Sequence, residues 1–522
     1  MEDALRAPAD GPAGLMRHAR EIPGKTACLD LRSGRSLTYA ELDVAVDQCA
    51  AWLEAMLAQP AGERVATLSR GSVDILILQL ACARVGAIFQ PLNWRLPGPE
   101  LAVLVEDGRP RLLVYEPEFA PALADLARFE AMACVRFDTA PDGFGARLAA
   151  APRRAIRAVP AADDAPATLL YTSGTTGRPK GAMISERNAR ACAANFAAVA
   201  KVGADAVFLC DMPMFHTVGL YAVCRTTLQV GGMLVISSQF DAGETLRRLS
   251  DPKLGITHYF CVPQMAQMLR QELGFSPAGL ARLTALCSGG APISAAEIQR
   301  WVDDGVMIID GYGMTESGTV LGMPVGDLSL VRRKAGSAGL PAPGVAVRLV
   351  APDGRDVADG EIGELWLKGD NVTVGYWNRP EATATAFHDG WLKTGDAARR
   401  DEEGFYYLVD RWKDMFISGG ENVYPAEVEA AILELDGVSE VAVIGAPDPR
   451  WGESGVAYVI PAPGAVITAE AVLAHCRRRL AGYKRPRVVE LASSLPRTGS
   501  GKVRKDLLKE LQLAGLRAQT PA

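Results

Sequence analysis

Short apolar runs alternate with longer amphipathic segments from about residue 37 to residue 340. The clearest runs end in glycine or polar turns and predict strands, namely ATLLYTS (167–173), THYFCVPQ (257–264), LTALCSGG (283–290) and VMIIDGYG (306–313). Between the last two, Ser294 and Glu297 have the spacing of a helix capping box. Alternating strands and helices predict parallel sheets covered by helices, with ligands bound beyond the carboxyl ends of the strands.

The pattern changes twice toward the C-terminus. Between 344 and 410, apolar and polar residues alternate around PDG and ADG turns, which predicts a small antiparallel β subdomain. From about 413, a helix opened by Pro425, two apolar strands and a further helix predict a small α+β domain. We therefore predict an α/β protein. Its large N-terminal domain, 1–412, carries parallel αβα sheets and the antiparallel subdomain, and its C-terminal α+β domain covers 413–522.

Composition narrows the class of protein. At 522 residues, 49% hydrophobic and 22% charged, the chain predicts more than one globular domain. Its most apolar stretch, VDILILQLACARVGAIF from Val73, is interrupted by Asp74 and Arg84 and predicts a buried helix that feeds a strand, not a membrane span. The termini match neither a secretory signal nor a peroxisomal address, so a cytoplasmic location is expected. The net charge of −6 argues against nucleic-acid binding. The ten cysteines include no CxxC pair, which argues against a disulfide framework and a structural zinc site.

The stretch YTSGTTGRPKGAM (171–183) has the composition of a phosphate-binding loop. Glycines let backbone N–H groups turn toward an anion, hydroxyls add donors, and Arg178 and Lys180 add positive charge. It is not a Walker A loop, because Lys180 is followed by Gly181 and not by Ser or Thr. On composition alone, a flexible glycine-rich loop is an equally good interpretation.

The order of residues in this loop resembles the adenylate-forming superfamily, which includes acyl-CoA synthetases, peptide-synthetase adenylation domains and beetle luciferases. GYGMTE (311–316), WLKTGDAA (391–398), DRWKD (410–414) and PRTGSGKVRK (496–505) resemble the later motifs of that family, in order. The resemblance extends from about residue 36 to about residue 510. The resemblance implies an ATP site formed by Thr172, Ser173, Gly174, Thr175, Thr176, Gly177, Lys180, Gly290, Ala291, Pro292, Asp310, Gly311, Tyr312, Asp396 and Arg411.

The same resemblance implies the catalytic roles. Tyr312 is expected to stack on adenine and Thr315 to contact the α-phosphate, while Glu316 helps to hold Mg²⁺. Lys502 is expected to bridge the acid and the α-phosphate, and His216 to guard the carboxylate pocket without acting as an acid or base. Further candidates for the acid pocket are Val218, Gly219, Tyr221, Gln264, Ser288, Gly289, Gly313 and Met314.

FISGGENVYP (416–425), DPRWGE (448–453) and GYKRP (482–486) resemble the acyl-CoA synthetase branch. They imply a coenzyme A site with Gly419, Gly420, Trp451, Lys484 and Arg485. Lys413 corresponds to the hinge at which the small domain of this family rotates between adenylation and thioester formation. The C-terminal domain is therefore expected to be mobile, and no residue is singled out as a base for the thiol.

These motifs predict an ATP-dependent carboxylate–CoA ligase that releases pyrophosphate and then AMP. The mostly apolar pocket disfavours diacids, and the motifs are about equally similar to those of fatty-acid and aryl-acid enzymes. We expect a medium- to long-chain fatty acid, with an aryl or hydroxycinnamic acid such as ferulate or coumarate as the alternative. A stand-alone adenylase that loads a carrier protein, a luciferase-type oxygenase and a non-catalytic nucleotide sensor are the other classes considered. The expected partners are ATP, Mg²⁺, coenzyme A and a small carboxylic acid, and homodimer formation is left open.

Overall fold

Two mixed sheets form the centre of the N-terminal part of the chain. The computed structural model describes residues 11–126, 129, 131–156, 164–172, 179–291, 293–412, 414–497 and 503–519, the last six of these as backbone only. These residues fall into two compact units, one that runs to Val347 and adds Leu367–Leu392, and one that joins Arg348–Trp366 to the chain from Lys393 onward. The predicted domain boundary after residue 412 stays a prediction.

The first sheet of the first unit has the order β6-β5-β3-β4-β7-β8 within the described residues. Its strands are β3 (Arg64–Leu68), β4 (Ile88–Pro91), β5 (Leu112–Tyr115), β6 (Ala133–Arg136), β7 (Pro166–Thr172) and β8 (Lys180–Ser185). All neighbours pair in parallel except β7 and β8, which form an antiparallel hairpin. The residues predicted to bind phosphate connect the two strands of this hairpin.

The second sheet has the order β15-β14-β13-β12-β11-β9-β10-β1-β2 in the described part of the chain. Its strands are β1 (Thr26–Asp30), β2 (Ser36–Thr38), β9 (Val207–Cys210), β10 (Met233–Ile236), β11 (His258–Cys261), β12 (Ala285–Ser288), β13 (Ile308–Met314), β14 (Gly318–Gly322) and β15 (Leu340–Pro341). Strands β11, β12 and β13 are parallel neighbours, so three of the four predicted strands share one edge. The fourth, β7, belongs to the other sheet.

Helices lie between these strands and continue into the C-terminal part of the chain. In chain order they are α1 (Leu15–Glu21), α2 (Tyr39–Leu57), α3 (Val73–Val85), α4 (Gly98–Gly108), α5 (Leu123–Leu126), α6 (Phe144–Ala150), α7 (Glu186–Ala200), α8 (Thr226–Gln229), α9 (Ala242–Ser250), α10 (Pro263–Gln271), α11 (Ala295–Asp303), α12 (Leu328–Arg333), α13 (Pro380–Ala386), α14 (Pro425–Leu433), α15 (Ala469–Arg479) and α16 (Lys505–Gln519). Helix α3 is buried along nearly its whole length and leads into β4, as predicted. No helix among the described residues is long and apolar enough to cross a membrane.

The cap of α11 forms only in part. The Ser294 side chain accepts a hydrogen bond from the backbone N–H of Glu297, as the spacing predicts. The Glu297 carboxylate does not complete the box and instead lies 3.2 Å from Arg300 Nη1. A single cap bond satisfies one of the four N–H groups that are left without partners at a helix N-terminus.

The remaining strands form two smaller sheets. They are β16 (Ala346–Val350), β17 (Ile362–Lys368), β18 (Phe387–His388), β19 (Trp391–Arg400) and β20 (Tyr406–Arg411), followed by β21 (Phe416–Ser418), β22 (Glu421–Val423), β23 (Val438–Asp448), β24 (Gly452–Pro461) and β25 (Val488–Leu491). The chain passes from one unit to the other within β16, β17 and β19. In the second unit, Phe416, Val428, Ile432 and Val443 form part of a buried apolar core. The expected fold class, an α/β protein with antiparallel β and C-terminal α+β parts, is confirmed.

Candidate active site

The hairpin of β7 and β8 holds the two ends of the predicted phosphate loop. Thr172 and Lys180 are opposite each other in the antiparallel register, and both are half-buried. The Thr172 hydroxyl lies 3.5 Å from the carbonyl oxygen of Lys180. Ser173, Gly174, Thr175, Thr176 and Gly177 lie outside the described residues. The structure therefore brings together the outer members of this predicted set.

Glu316 lies two residues beyond the end of β13 and is 7% exposed. Its Oε1 accepts a hydrogen bond of 2.8 Å from the hydroxyl of Tyr376. The ring of Tyr376 also lies against Lys180, with Nζ 5.3 Å from the ring centroid. Tyr376 therefore contacts both Lys180 and Glu316, two predicted site residues that are far apart in sequence. Lys180 lies in the first sheet, and Glu316 follows a strand of the second sheet.

The carboxyl ends of β11 and β12 are in register with each other and with Asp310, inside β13. Ser288 pairs with Cys261 on one side and with Asp310 on the other. The hydroxyl of Ser288 is buried and has no hydrogen-bond partner among the described residues. The Asp310 carboxylate accepts a 2.9 Å hydrogen bond from the N–H of Gly311. Burial raises the pKa of Asp310 to about 8, although this backbone bond opposes the shift.

Glycines shape the turns around these strand ends. A side chain at Gly313 would place Cβ 2.2 Å from the carbonyl oxygen of Gly318, so β13 and β14 approach too closely for any other residue. Gly289 is buried, whereas Gly290, with φ of +81°, and Ala291 are exposed. Pro292 lies outside the described residues.

Tyr312, Met314 and Thr315 follow Gly311 at the end of β13, and all are half-buried. The Tyr312 hydroxyl lies 3.9 Å from the Met314 sulfur. Tyr312 is thus accessible enough to stack on a ligand, as its predicted role requires.

The segment predicted to guard the acid pocket leads into a π-helix, Val218–Arg225. His216 is half-buried, and its ring centroid lies 4.5 Å from that of Phe215. A side chain at Gly219 would place Cβ 2.4 Å from the carbonyl oxygen of Pro213, so the turn requires glycine. Tyr221 is buried in the π-helix. Such helices frequently mark functional sites.

Gln264, the remaining candidate for the acid pocket, lies in the first turn of α10 and is exposed. It follows β11 directly, as the predicted position beyond a strand end requires.

In the second unit, Asp396 and Arg411 face each other across β19 and β20. Arg411 Nε lies 2.8 Å from Asp396 Oδ1, and the Asp396 side chain is 8% exposed against 42% for Arg411. The sequence predicts that these two residues act together, and they are in contact. Their hydroxyl-binding role stays a prediction.

Trp451 packs on the glycine turn of β21 and β22. A Cβ at Gly419, which has φ of +63°, would lie 2.6 Å from the Trp451 ring, whereas Gly420 faces open space. The Gly419 N–H donates to the Trp451 carbonyl at 2.8 Å. The turn and the tryptophan are therefore one structural unit that requires glycine.

The basic residues of the segment 484–487 differ in their surroundings. Lys484 Nζ lies 2.6 Å from Glu427 Oε1, and Arg485 Nε donates to the carbonyl of Leu480. The exposed Arg487 instead lies over the Trp451 ring, with Cζ 5.0 Å from its centroid. Arg487 is absent from the sequence-based set, although it stands two residues after Arg485 in the same basic segment.

Lys502 and Lys413 lie outside the described residues. The chain on either side of 498–502 is held by a bridge between Arg497 and Val503. Lys505, at the start of α16, forms a mostly buried ion pair of 2.7 Å with Glu429. The sequence motifs do not identify Lys505, Tyr376 or Arg487 as site residues, because the position of each depends on residues far away in the chain.

The described residues include no cluster of three or more His, Cys, Asp or Glu side chains that could hold a metal ion. A buried carboxylate with a single neutral side-chain donor, as at Glu316, suits Mg²⁺, which usually takes one or two carboxylates and completes its shell with phosphate oxygens and water.

Two family models match the chain. Residues 15–377 match the AMP-binding enzyme model, and residues 427–502 match the C-terminal domain model of AMP-binding enzymes.

Similar proteins cover nearly the whole chain. It is 42% identical to a feruloyl-CoA synthase of an Amycolatopsis species, over 94% of this chain and 96% of the relative. It is 35% identical to a long-chain-fatty-acid–CoA ligase of Mycobacterium tuberculosis, over 95% of this chain and 97% of the relative. The crystal structure of ATP-bound MatB from Rhodopseudomonas palustris has a TM-score of 0.86 at 32% identity, over 96% of this chain and 99% of that one.

Proposed function

Since the chain belongs to the AMP-binding enzymes and is an AMP-forming acyl-CoA ligase, we propose that its substrate is an aromatic acid of the hydroxycinnamate type, such as ferulate. The observation that carries this proposal is the 42% identity to a feruloyl-CoA synthase, against 35% to a long-chain-fatty-acid–CoA ligase, at nearly equal coverage. The proposal prefers the aromatic alternative of the sequence analysis over the fatty acid.

A feature of the predicted acid pocket supports this preference. Ser288 presents a buried hydroxyl that lacks a hydrogen-bond partner among the described residues. A buried polar group without a partner costs about 1–3 kcal/mol. If the Ser288 side chain turns toward the bound acid, a phenol or methoxy oxygen of a hydroxycinnamate can bond to this hydroxyl, whereas an alkyl tail cannot.

For adenylation, we propose that Thr172 and Lys180 hold the phosphates of ATP with the loop between them. Glu316 holds Mg²⁺, which when bound supplies positive charge to the phosphate oxygens. Lys502 stabilises negative charge as the acid attacks the α-phosphate and pyrophosphate leaves. Asp396 and Arg411 bind the ribose hydroxyls.

For thioester formation, we propose that coenzyme A approaches past Gly419, Gly420 and Trp451. Arg487 joins Lys484 and Arg485 as a source of positive charge for its phosphates. The thiol attacks the acyl-AMP carbonyl, and AMP leaves. Rotation at Lys413, the cytoplasmic location and a homodimer stay predictions.

A fatty acid is the second candidate, because the relative from Mycobacterium tuberculosis covers the chain equally well and the predicted pocket is mostly apolar. The third alternative is that a carrier protein, and not coenzyme A, accepts the acyl group. The experiment described next distinguishes these acceptors.

The test is pyrophosphate release with Mg-ATP across coumarate, ferulate, benzoate, acetate and C6 to C18 fatty acids, each with and without coenzyme A. We expect the highest kcat/KM with ferulate or coumarate, and the matching CoA thioester as product. A higher kcat/KM with fatty acids would contradict the proposed substrate class. Acid-dependent release without any thioester would contradict coenzyme A as the acceptor.

A further inference from the structure

Tyr376 contacts two charged residues of the proposed ATP site at once. Its hydroxyl donates to Glu316 Oε1 at 2.8 Å, and its ring lies 5.3 Å from Lys180 Nζ. We propose that Tyr376 is a positioning residue for adenylation, whose hydroxyl orients the Glu316 carboxylate toward the metal and whose ring holds the Lys180 ammonium group. This inference rests on the proposed role of Glu316.

The backbone of Tyr376 is fixed to β8. Tyr376 forms an antiparallel bridge with Ala182, and the N–H of Trp377 donates to the carbonyl of Gly181 at 2.8 Å. The N–H of Tyr376 itself donates to the Thr383 hydroxyl at 2.9 Å. Tyr376 therefore has a defined position relative to Lys180, which lies two residues before Ala182 on the same strand.

The backbone of Glu316 is fixed to the same segment. Its carbonyl oxygen accepts a 2.6 Å hydrogen bond from the N–H of Thr373. The Thr373 hydroxyl in turn donates to the carbonyl of Met183 at 2.7 Å. Residues 373–377 thus connect the end of β13 to β8, and with it two sheets that each contribute to the site.

A neutral donor suits this position. The terminal torsion of a glutamate is broad, so a free carboxylate must lose rotational freedom when it binds an ion. A hydrogen bond from a phenol fixes that torsion and leaves the negative charge in place, whereas an arginine or lysine would cancel that charge. The bond occupies Oε1 and leaves Oε2 for the ion.

A matched control lies on the neighbouring strand. The Tyr171 hydroxyl donates to Asp107 Oδ2 at 2.9 Å, so Y171F and Y376F each delete one phenol-to-carboxylate bond in the first unit. Tyr171 directly precedes Thr172 in the 171–183 stretch, but neither Tyr171 nor Asp107 is among the residues proposed to bind ATP or the metal. Melting curves of both variants should be cooperative and shifted by similar amounts.

The experiment measures Mn²⁺ binding by electron paramagnetic resonance, in the presence of α,β-methylene-ATP. We expect the Mn²⁺ Kd to rise about three- to tenfold in Y376F, the size of one neutral hydrogen bond, and to stay at the wild-type value in Y171F. An unchanged Kd in Y376F would overturn the inference, and so would an equal rise in both variants.

E316Q distinguishes the role of Tyr376 from the proposed role of Glu316 as a metal ligand. We expect E316Q to weaken Mn²⁺ binding strongly, and Y376F to have no further effect in the E316Q background. If E316Q leaves the Kd unchanged, the proposed role of Glu316 is wrong. If E316Q weakens binding and Y376F does not, only the inference about Tyr376 is wrong.

A second variant tests the ring of Tyr376 independently. Y376L removes the ring together with the hydroxyl, whereas Y376F keeps the ring beside Lys180. Without metal, Y376L should bind the ATP analogue about two- to fivefold more weakly than Y376F, as expected for an exposed cation–π contact. Equal affinities of Y376L and Y376F would contradict the role assigned to the ring.

Discussion

Two acids of the proposed site in the first unit have neutral partners, whereas two acids of the second unit are paired with cations. Glu316 bonds to a tyrosine hydroxyl, and Asp310 to a backbone N–H. Asp396 is paired with Arg411, and Glu429 with Lys505.

A carboxylate beside a neutral donor keeps its negative charge, so it can attract a metal ion or retain a proton. A carboxylate beside a cation has its charge balanced inside the protein, so such a pair can fix structure or, as proposed for Asp396 and Arg411, bind neutral hydroxyl groups. The difference predicts that substitutions in the first unit change chemistry and pH dependence, whereas substitutions at the buried pair of the second unit change stability.

The largest effect is expected from E316Q. It removes the negative charge proposed to hold the metal and should lower the rate of adenylation about 100- to 1,000-fold, by analogy with the loss of an oxyanion-hole donor. The rate is measured as acid-dependent pyrophosphate release. The same substitution at the other buried glutamate, E429Q, should leave that rate close to the wild-type value in the folded protein. An E316Q rate within tenfold of wild type would contradict the contrast between the two units.

K505M should have the next largest effect. It leaves Glu429 buried without its cation and should lower the free energy of unfolding by about 3 kcal/mol, measured by urea denaturation.

Two further variants sharpen that prediction. K505M/E429Q should recover most of the loss, because the substituted glutamine is neutral and can still accept the hydrogen bond that Val443 donates to Glu429. R504A, which removes a surface ion pair between the half-buried Arg504 and the exposed Asp506, should change stability by less than about 1 kcal/mol. If the double variant is as unstable as K505M, the unpaired charge of Glu429 is not the cause of the lost stability.

The pH dependence of stability should differ between the wild type and D310N. The folded protein keeps the Asp310 proton to about pH 8 because burial raises its pKa, whereas an unfolded chain loses that proton near pH 4. The free energy of unfolding should therefore fall as the pH rises between about 4 and 8.

D310N should flatten this slope, and D211N provides the comparison. Burial raises the pKa of Asp211 to about 6, so D211N should flatten the slope only between about pH 4 and pH 6. Denaturant unfolding at a series of pH values measures both variants. A D310N curve with the wild-type slope between pH 6 and 8 would contradict a retained proton at Asp310.

The smallest effect is expected from R487A. Loss of the contact with Trp451 should raise the KM for coenzyme A about two- to fivefold, the range of an exposed cation–π pair. Adenylation without coenzyme A should be unchanged. R399A, which removes a similar contact with Tyr407 in the β19–β20 hairpin, should leave the KM for coenzyme A unchanged.

The sequence predicted the parts of the site that local patterns encode. The run VMIIDGYG predicted β13 to within two residues at each end, because its apolar core is flanked by glycines. Asp396 and Arg411 were assigned a joint role, and an antiparallel hairpin brings them together.

Contacts between distant segments were not predictable in the same way. Tyr376 meets Glu316 across 60 positions, and nothing in GYWNRP specifies that its hydroxyl faces a carboxylate. Lys505 resembles any surface lysine until the fold places Glu429 beside it. Such partners are set by sheet pairing and helix packing, which a single sequence does not encode locally.

Above all, we propose that the chain first converts an aromatic carboxylate to its adenylate. Rapid-quench mixing of the enzyme with Mg-ATP and ferulate, without coenzyme A, tests this step. We expect one equivalent of bound feruloyl-AMP and of pyrophosphate per chain, conversion of the adenylate to feruloyl-CoA and AMP on addition of coenzyme A, and a much slower burst with palmitate. A faster burst with palmitate, or no adenylate with ferulate, would contradict it.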